Sequence, residues 1–445
     1  MTQDMTTGSP TKHILKFSIP LIFGNLFQQL YNLVDAVVVG QFVGSDSLAA
    51  VGACGSLTFL FINLSSGLSI GIGVIVSQYF GAHDNQSVRR TIASSVYVLT
   101  AASILAGLIA ILFAPNIMSF LKVPDEIIHL SITYFRITCG GIIFLAFYNG
   151  ASSILRALGD SKTPLYFLIL SSFVNIALDL IFVIYFKMGV FGVALATLIS
   201  HAVAATGCII FSICKNEFFR LTKDELTPHK KIILMSIKLG VPLALQYSLI
   251  SISTITLQSV VNRLGPTIMA AFTITGRVES LVHQPFNSIS SALSTFAGQN
   301  IGAHQEDRVK KGLRRGVLMA LIFALIMLVI MRTLGPYICR LFVKEKEVIE
   351  IGAKALTITS LAYFGLGMIY IPRGLLNGAG DTGFALINGI TEVIFRIGFA
   401  ILLTRIPAFD FWGVWWTNCL TWSLTGLVCL IRYWSGAWKK KSIVK

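Results

Sequence analysis

Apolar residues fill this chain in long runs, each near the ~20 residues needed to cross a bilayer's hydrocarbon, with short polar punctuation between them. Gly, Pro and charged positions divide the runs into twelve expected helical spans: 13–43, 48–80, 90–113, 126–156, 163–186, 190–214, 230–263, 268–300, 311–332, 348–376, 382–404 and 411–434. The first run, from about Ile14 past Val39, is too long for a signal-peptide core and has no small-residue cleavage site behind it. It reads as a retained first helix.

Several spans carry polar residues on one helical face. In the first, Asn25, Gln28, Asn32 and Asp35 follow the helical period. A face holding an acid at mid-span cannot look at lipid, because an Asp at the centre of a span costs about 2.5–3.5 kcal/mol on insertion scales. The fifth span repeats the pattern with Ser171, Asn175 and Asp179, and the sixth adds Thr197 and His201. If they converge, the two carboxyls with an amide and a hydroxyl form a hard-oxygen pocket suited to Na⁺ or a shared proton. In the eighth span Glu279, His283, Asn287 and Ser294 share a face, and in the eleventh Asn388, Glu392 and Arg396 do. Glu392 and Arg396, four residues apart, are also spaced to pair with each other. Glu279 has no cation at that spacing on its own helix, so it is a candidate contact for a cationic solute. Gln28, Asn32, His283 and Glu392 join it as candidate solute-binding residues.

The chain repeats itself at a shift of about 221. Gly81-Ala82-His83 aligns with Gly302-Ala303-His304, Gly159-Asp160 with Gly380-Asp381, and Pro20 with Pro242 one residue further on. A shift kept over such a length is a duplication. Six helices per copy is an even number, so the copies share one topology and a pseudo-two-fold axis along the membrane normal is expected. The expected architecture is all-α and integral to the membrane, with an N-lobe over 1–220 and a C-lobe over 221–445. The copies differ where it matters: Leu257 stands in place of Asp35 and Ala400 in place of Asp179.

Composition agrees with the bilayer as solvent, since 55% of the 445 residues are hydrophobic and 12% charged. The net charge of +15 could suggest nucleic acid, but the loops explain it. With the N-terminus cytoplasmic, 23 of the 35 Lys and Arg fall on that side, as the positive-inside rule requires. Both termini and the Lys215–Lys231 loop are then cytoplasmic, in a plasma or bacterial inner membrane, and no nucleic-acid partner is expected. The seven cysteines lack metal-ligand spacing and read as packing residues. There is no HExxH or comparable catalytic constellation, so an enzyme and a cofactor are not expected.

The residues Pro20-Leu21-Ile22-Phe23-Gly24-Asn25, Leu33-Val34-Asp35-Ala36-Val37-Val38-Val39-Gly40 and Leu48-Ala49-Ala50-Val51-Gly52, with the Arg156–Asp160 and Asn377–Asp381 loops, resemble the multidrug and toxic compound extrusion (MATE) family over essentially the whole chain. The resemblance implies a V-shaped fold of two lobes, acting as a monomer among membrane lipid and exporting lipophilic organic cations against H⁺ or Na⁺. It also implies that Asp35, Asn175, Asp179 and Thr197 are similar to the N-lobe cation site of the DinF-like branch, and that Pro20 matches that branch's bending first-helix proline. The acids that the NorM-like branch carries in its seventh and tenth helices are absent here. A flippase of lipid-linked or other physiological solutes in the same superfamily is the competing expectation.

Overall fold

The computed structural model describes residues 2–444, and every regular element among them is helical. Fourteen α-helices follow one another: α1 Pro10–Val38, α2 Ser45–Gly81, α3 Asn85–Phe120, α4 Asp125–Gly140, α5 Ile142–Ala157, α6 Lys162–Leu180, α7 Gly189–Lys215, α8 Lys230–Val261, α9 Pro266–Gly302, α10 Glu306–Arg340, α11 Lys346–Leu361, α12 Tyr363–Gly378, α13 Thr382–Leu403 and α14 Gly413–Trp434. Eight are each long and apolar enough to span a membrane, and the bent pairs α4/α5 and α11/α12 raise the number to ten. The remaining two are α1 and α9. Both are long enough, with 29 and 37 residues, and their polar stripes hold their hydropathy down. Counting them gives the twelve expected spans of a multi-pass membrane protein.

The backbone repeats the sequence shift. His83 and His304 take left-handed φ values of 58° and 55°, Gly159 and Gly380 of 91° and 86°, and Gly44 and Gly265 of 113° and 96°. The breaks repeat as well: α4/α5 bends by 40° at Gly141 and α11/α12 by 47° at Ala362. Nothing in the hydropathy pattern marked these bends. Two helices also outrun their expected ends, α3 reaching Phe120 and α10 Arg340. Pro115 and Pro336 lie inside them, where proline removes a backbone donor. In α3 the carbonyl four residues earlier, Ile111 O, instead accepts from Arg136 Nε at 3.1 Å, which satisfies the group that the proline orphans.

The chain folds as two compact units. The first takes the residues up to Asp4 together with Ile19–Leu245, and the second takes Met5–Ser18 and everything from Gln246 on. Of the three changes of unit, the later two fall inside helices and near prolines, just before Pro20 in α1 and just after Pro242 in α8. In the first unit, α2 crosses α8 closely enough that a Cβ at Gly71 would come within 2.7 Å of the Gly240 backbone. In the second, Gly374 and Gly378 of α12 ride on Ser290 and Ser294 of α9. These are the small-residue crossings that membrane helices use, since lipid supplies no hydrophobic drive. The second unit also grips the N-terminal segment, with Arg308 donating to the carbonyls of Met5, Thr7 and Gly8 at 3.0–3.1 Å.

Candidate functional site

In the first unit α1, α6 and α7 bring the four expected coupling residues together. Asp179 and Asn175 are buried to 1% and 0% exposure. The Thr197 backbone N–H is a donor in any state, so it turns the Asn175 amide oxygen toward itself at 3.2 Å. Asn175 Nδ2 then donates to Asp179 Oδ2 at 2.9 Å. The Asp35 carboxyl reaches across from α1 to hydrogen-bonding distance of Asp179. One oxygen on each acid, Asp35 Oδ1 and Asp179 Oδ1, is buried without a hydrogen-bond partner. Two carboxyls in such contact cannot both stay charged without a proton or cation between them.

Both helices change character just beyond their acids. α1 passes into a π-helical turn at Val39–Val43, and α6 into another at Ile181–Tyr185. A π turn inserts a residue into the helical register, a local cost that recurs at functional sites. Buried Val39 and Val183, one from each turn, pack with Val193 of α7 into a small apolar cluster. Val39 and Val183 each lie one turn beyond the acid on the same stretch of chain, Asp35 and Asp179.

Two further residues belong to the group. Tyr31, one turn before Asp35, lies within hydrogen-bonding reach of Thr197 and beside both acids. Tyr134 of α4 stands beside the same acids. Tyr31 shares the face of Asp35 and could have been read from spacing. Tyr134 comes from a helix whose polar stripe, Asp125, His129, Thr133 and Arg136, lies on the opposite face, so no pattern pointed to it. Beside this site a cavity of about 130 Å³ is lined by Pro20, Asn25, Gln28, Tyr31 and His201 among others. Gln28 therefore borders the cavity, whereas Asn32 is exposed and lines neither this cavity nor that of the second unit.

The second unit has its own cavity, about 260 Å³, lined by Glu279, His283, Arg373, Glu392 and Arg396 between apolar and aromatic walls. Glu279 and Glu392 are 8% and 5% exposed, and Arg373 and Arg396 8% and 7%. Glu392 is paired: Arg396 Nη2 donates to Glu392 Oε1 at 2.6 Å within α13. His283 meets the Tyr370 hydroxyl at 3.4 Å and packs edge-on to Trp422. Glu279 Oε1 and His283 Nε2 have no hydrogen-bond partner. Among the described residues no group of three or more His, Cys, Asp or Glu could hold a metal ion.

Comparison with known proteins adds to this geometry. The MatE family model matches residues 20–181 and again 242–402. The chain belongs to the MatE family. The two matches begin at Pro20 and Pro242, where the chain changes unit, and each covers one copy of the repeat. The Bacillus subtilis (strain 168) protein described as "Probable multidrug resistance protein YoeA" is 28% identical over 453 residues, 100% of this chain and 98% of its own. Among solved structures, a MATE protein in its straight conformation is similar at a TM-score of 0.90 and 25% identity, covering 99% of this chain and 100% of its own. One in a bent conformation reaches a TM-score of 0.91 at 24% identity, over 99% of each chain.

Proposed function

We propose that this MatE protein exports amphipathic organic cations across a cell membrane by exchange with protons, with the Asp35–Asp179 pair as the coupling site. The observation that carries the reading is the contact of the half-buried Asp35 with the buried Asp179, each with one buried, unpartnered carboxyl oxygen. Such a pair alternates between holding a proton and releasing it, which is what an antiporter needs of its coupling group. A single proton shared between the two carboxyls is enough to relieve their repulsion, and Asn175 Nδ2 then donates to the charge that remains on Asp179. The description of the relative YoeA as a probable multidrug resistance protein supports the export of foreign compounds.

In this reading the N-lobe, residues 1–220, couples to the ion, and the C-lobe, residues 221–445, contributes solute contacts through Glu279 and His283. The excess of Lys and Arg in the expected inner loops supports cytoplasmic termini. Protonation of Asp35 removes one charge from α1 itself, and Pro20 lies about four turns earlier on that helix, where the missing backbone bond makes bending cheap.

The deciding experiment is efflux of a lipophilic cation from proteoliposomes under separately imposed pH and Na⁺ gradients. A pH gradient alone should drive it. Transport driven only by Na⁺, or unaffected by either gradient, would overturn the assignment. Pro20→Ala tests the hinge in the same vesicles. It restores a backbone donor, so exchange should slow by about tenfold or more while cation affinity stays near wild type, a split that equilibrium binding measured beside transport resolves.

A further inference from the structure

The first unit holds a further cavity that the acid pair does not use, about 520 Å³ in volume. α5 packs against both α3 and α7, and the cavity lies along it as a groove. Phe147 of α5 lines the groove between Ile92 and Leu99 of α3 and Ile209 and Ile213 of α7. These positions lie near one end of the bundle, where α3 starts with Arg89 and Arg90 and α7 ends with Lys215. From Ile92 to Leu99 the groove descends about 10 Å at the helical rise. Val96 and Ile213 also line it and are 40% and 44% exposed, so it opens sideways onto the apolar surface that meets lipid.

The linker between α7 and α8 covers the polar end, with Phe219 and Leu226 among the lining residues. It is tied down firmly. Arg89 Nη1 donates to both Glu225 carboxylate oxygens at 2.8 and 3.1 Å, and Arg89 Nη2 donates to Glu217 O at 2.7 Å. The Tyr97 hydroxyl donates to Leu226 O at 2.7 Å, and the His229 N–H to Ser94 Oγ at 3.2 Å. Protein interiors pack closely and leave few voids larger than a water molecule, and an apolar cavity does not hold water. A groove kept open by this many ties, with its side toward the hydrocarbon, is built to be filled by a chain of the same chemistry.

Its charge says which lipid. Among the described residues Arg220 is the one charged group on the lining. It is exposed and donates from Nε to Ile213 O at 3.0 Å and from Nη2 to Cys214 O, which fixes the guanidinium at the mouth, over the last turn of α7. It forms no ion pair among the described residues. A cationic amphiphile would meet this charge with no carboxyl on the lining to offset it, whereas an anionic head group gains from it. Basic pockets between membrane helices near the surface take anionic head groups in this way.

We propose that the groove seats one acyl chain of an anionic phospholipid, with the phosphate on Arg220. The proposal goes beyond the export reading and does not depend on it, since it needs only the chain in a bilayer.

The test is photolabelling of the full chain in phosphatidylcholine vesicles. They carry a trace of either phosphatidylglycerol or phosphatidylcholine with the same mid-chain diazirine, and labelled peptides are mapped by mass spectrometry. Phosphatidylglycerol should label the 92–99 and 147–154 segments about fivefold more than phosphatidylcholine, the gain that one interfacial Arg gives toward an anionic lipid. Arg220→Gln should bring phosphatidylglycerol down to the phosphatidylcholine level. Arg220→Lys should keep most of the preference, and it serves if the glutamine variant fails to fold. Val96→Trp, which fills the side opening, should cut labelling of the groove by both lipids and leave labelling around Leu105 and Leu112, on the outer face of α3, unchanged. Equal labelling by the two lipids, or labels no denser in the groove than around Leu105 and Leu112, would overturn the proposal. Displacement of the label by glycerol 3-phosphate would make the site one for free phosphate, and displacement by tetraphenylphosphonium would make it one for cations; either result overturns the lipid assignment.

Discussion

Asp35→Asn should insert and fold at wild-type abundance yet lose gradient-driven efflux almost completely. The asparagine keeps the size and hydrogen-bonding of the carboxyl, so the contact with Asp179 and the packing of α1 survive. What it removes is the ability to take and release a proton. A ligand shifts a two-state protein only by its difference in affinity for the two states, and reversing a 99:1 population takes about 5.5 kcal/mol. The acid pair supplies that difference because its charge changes by one unit in a site where a net charge is expensive. An amide in place of the Asp35 carboxyl would leave Asp179 beside a neutral donor at all pH values, and the pair could no longer share a proton. Asp179→Asn should act in the same way. Passive exchange of labelled for unlabelled cation should outlast the loss of uphill transport in both variants. Efflux of a lipophilic cation against its gradient, measured in vesicles at matched protein content, is the check, and wild-type uphill transport by Asp35→Asn would sink the coupling role while leaving the fold untouched.

Much of this site was legible because intramembrane polarity is costly and so is seldom placed without purpose. Asp35, Asn175 and Asp179 each stood out against an apolar background, and helical spacing put them on inward faces before any coordinates did. The same polarity explains why α1 and α9 fall short of the apolar standard that ten other spans meet, singly or as bent pairs. The duplication was equally readable, since Gly159 and Gly380 hold left-handed conformations that only glycine adopts easily. Less legible were features whose cause is tertiary. The bends at Gly141 and Ala362 fall where one residue is glycine and the other is not, so no residue type announces them. The π turns after Asp35 and Asp179 lie at Val39–Val43 and Ile181–Tyr185 and share no sequence signature, the first holding Gly40 and Gln41 and the second only apolar and aromatic residues. Arg373 escaped notice because it reads as an inner-loop cation, and only the burial of α12 against α9 turns it into a cavity charge.

Glu392 and Arg396 were open to two sequence readings, solute contact or mutual pairing, and the 2.6 Å hydrogen bond between side chains 6–8% exposed makes a stability test decisive. A buried ion pair gives up the hydration of both charges and regains much of it from their attraction, so its net worth is small. Removing one partner is different, because the survivor stays buried and uncompensated. Arg396→Gln should therefore destabilise the protein by about 3–5 kcal/mol. Glu392→Gln should cost less than that, because Arg396 Nη1 lies 3.4 Å from Thr254 Oγ1 and its long side chain can seek polar company that Glu392 lacks. The double variant Glu392→Gln/Arg396→Met, which carries neither charge, should recover most of the loss and lie within about 1–2 kcal/mol of wild type. The measurement is a double-mutant cycle on denaturant unfolding in detergent, followed by Trp415 and Trp422, whose indoles sit buried in the same unit. Additive losses in the cycle would show that the two side chains do not depend on each other. Strong recovery in the double variant with cation efflux intact would remove Glu392 from the solute contacts and leave Glu279 as the acid that meets the cation.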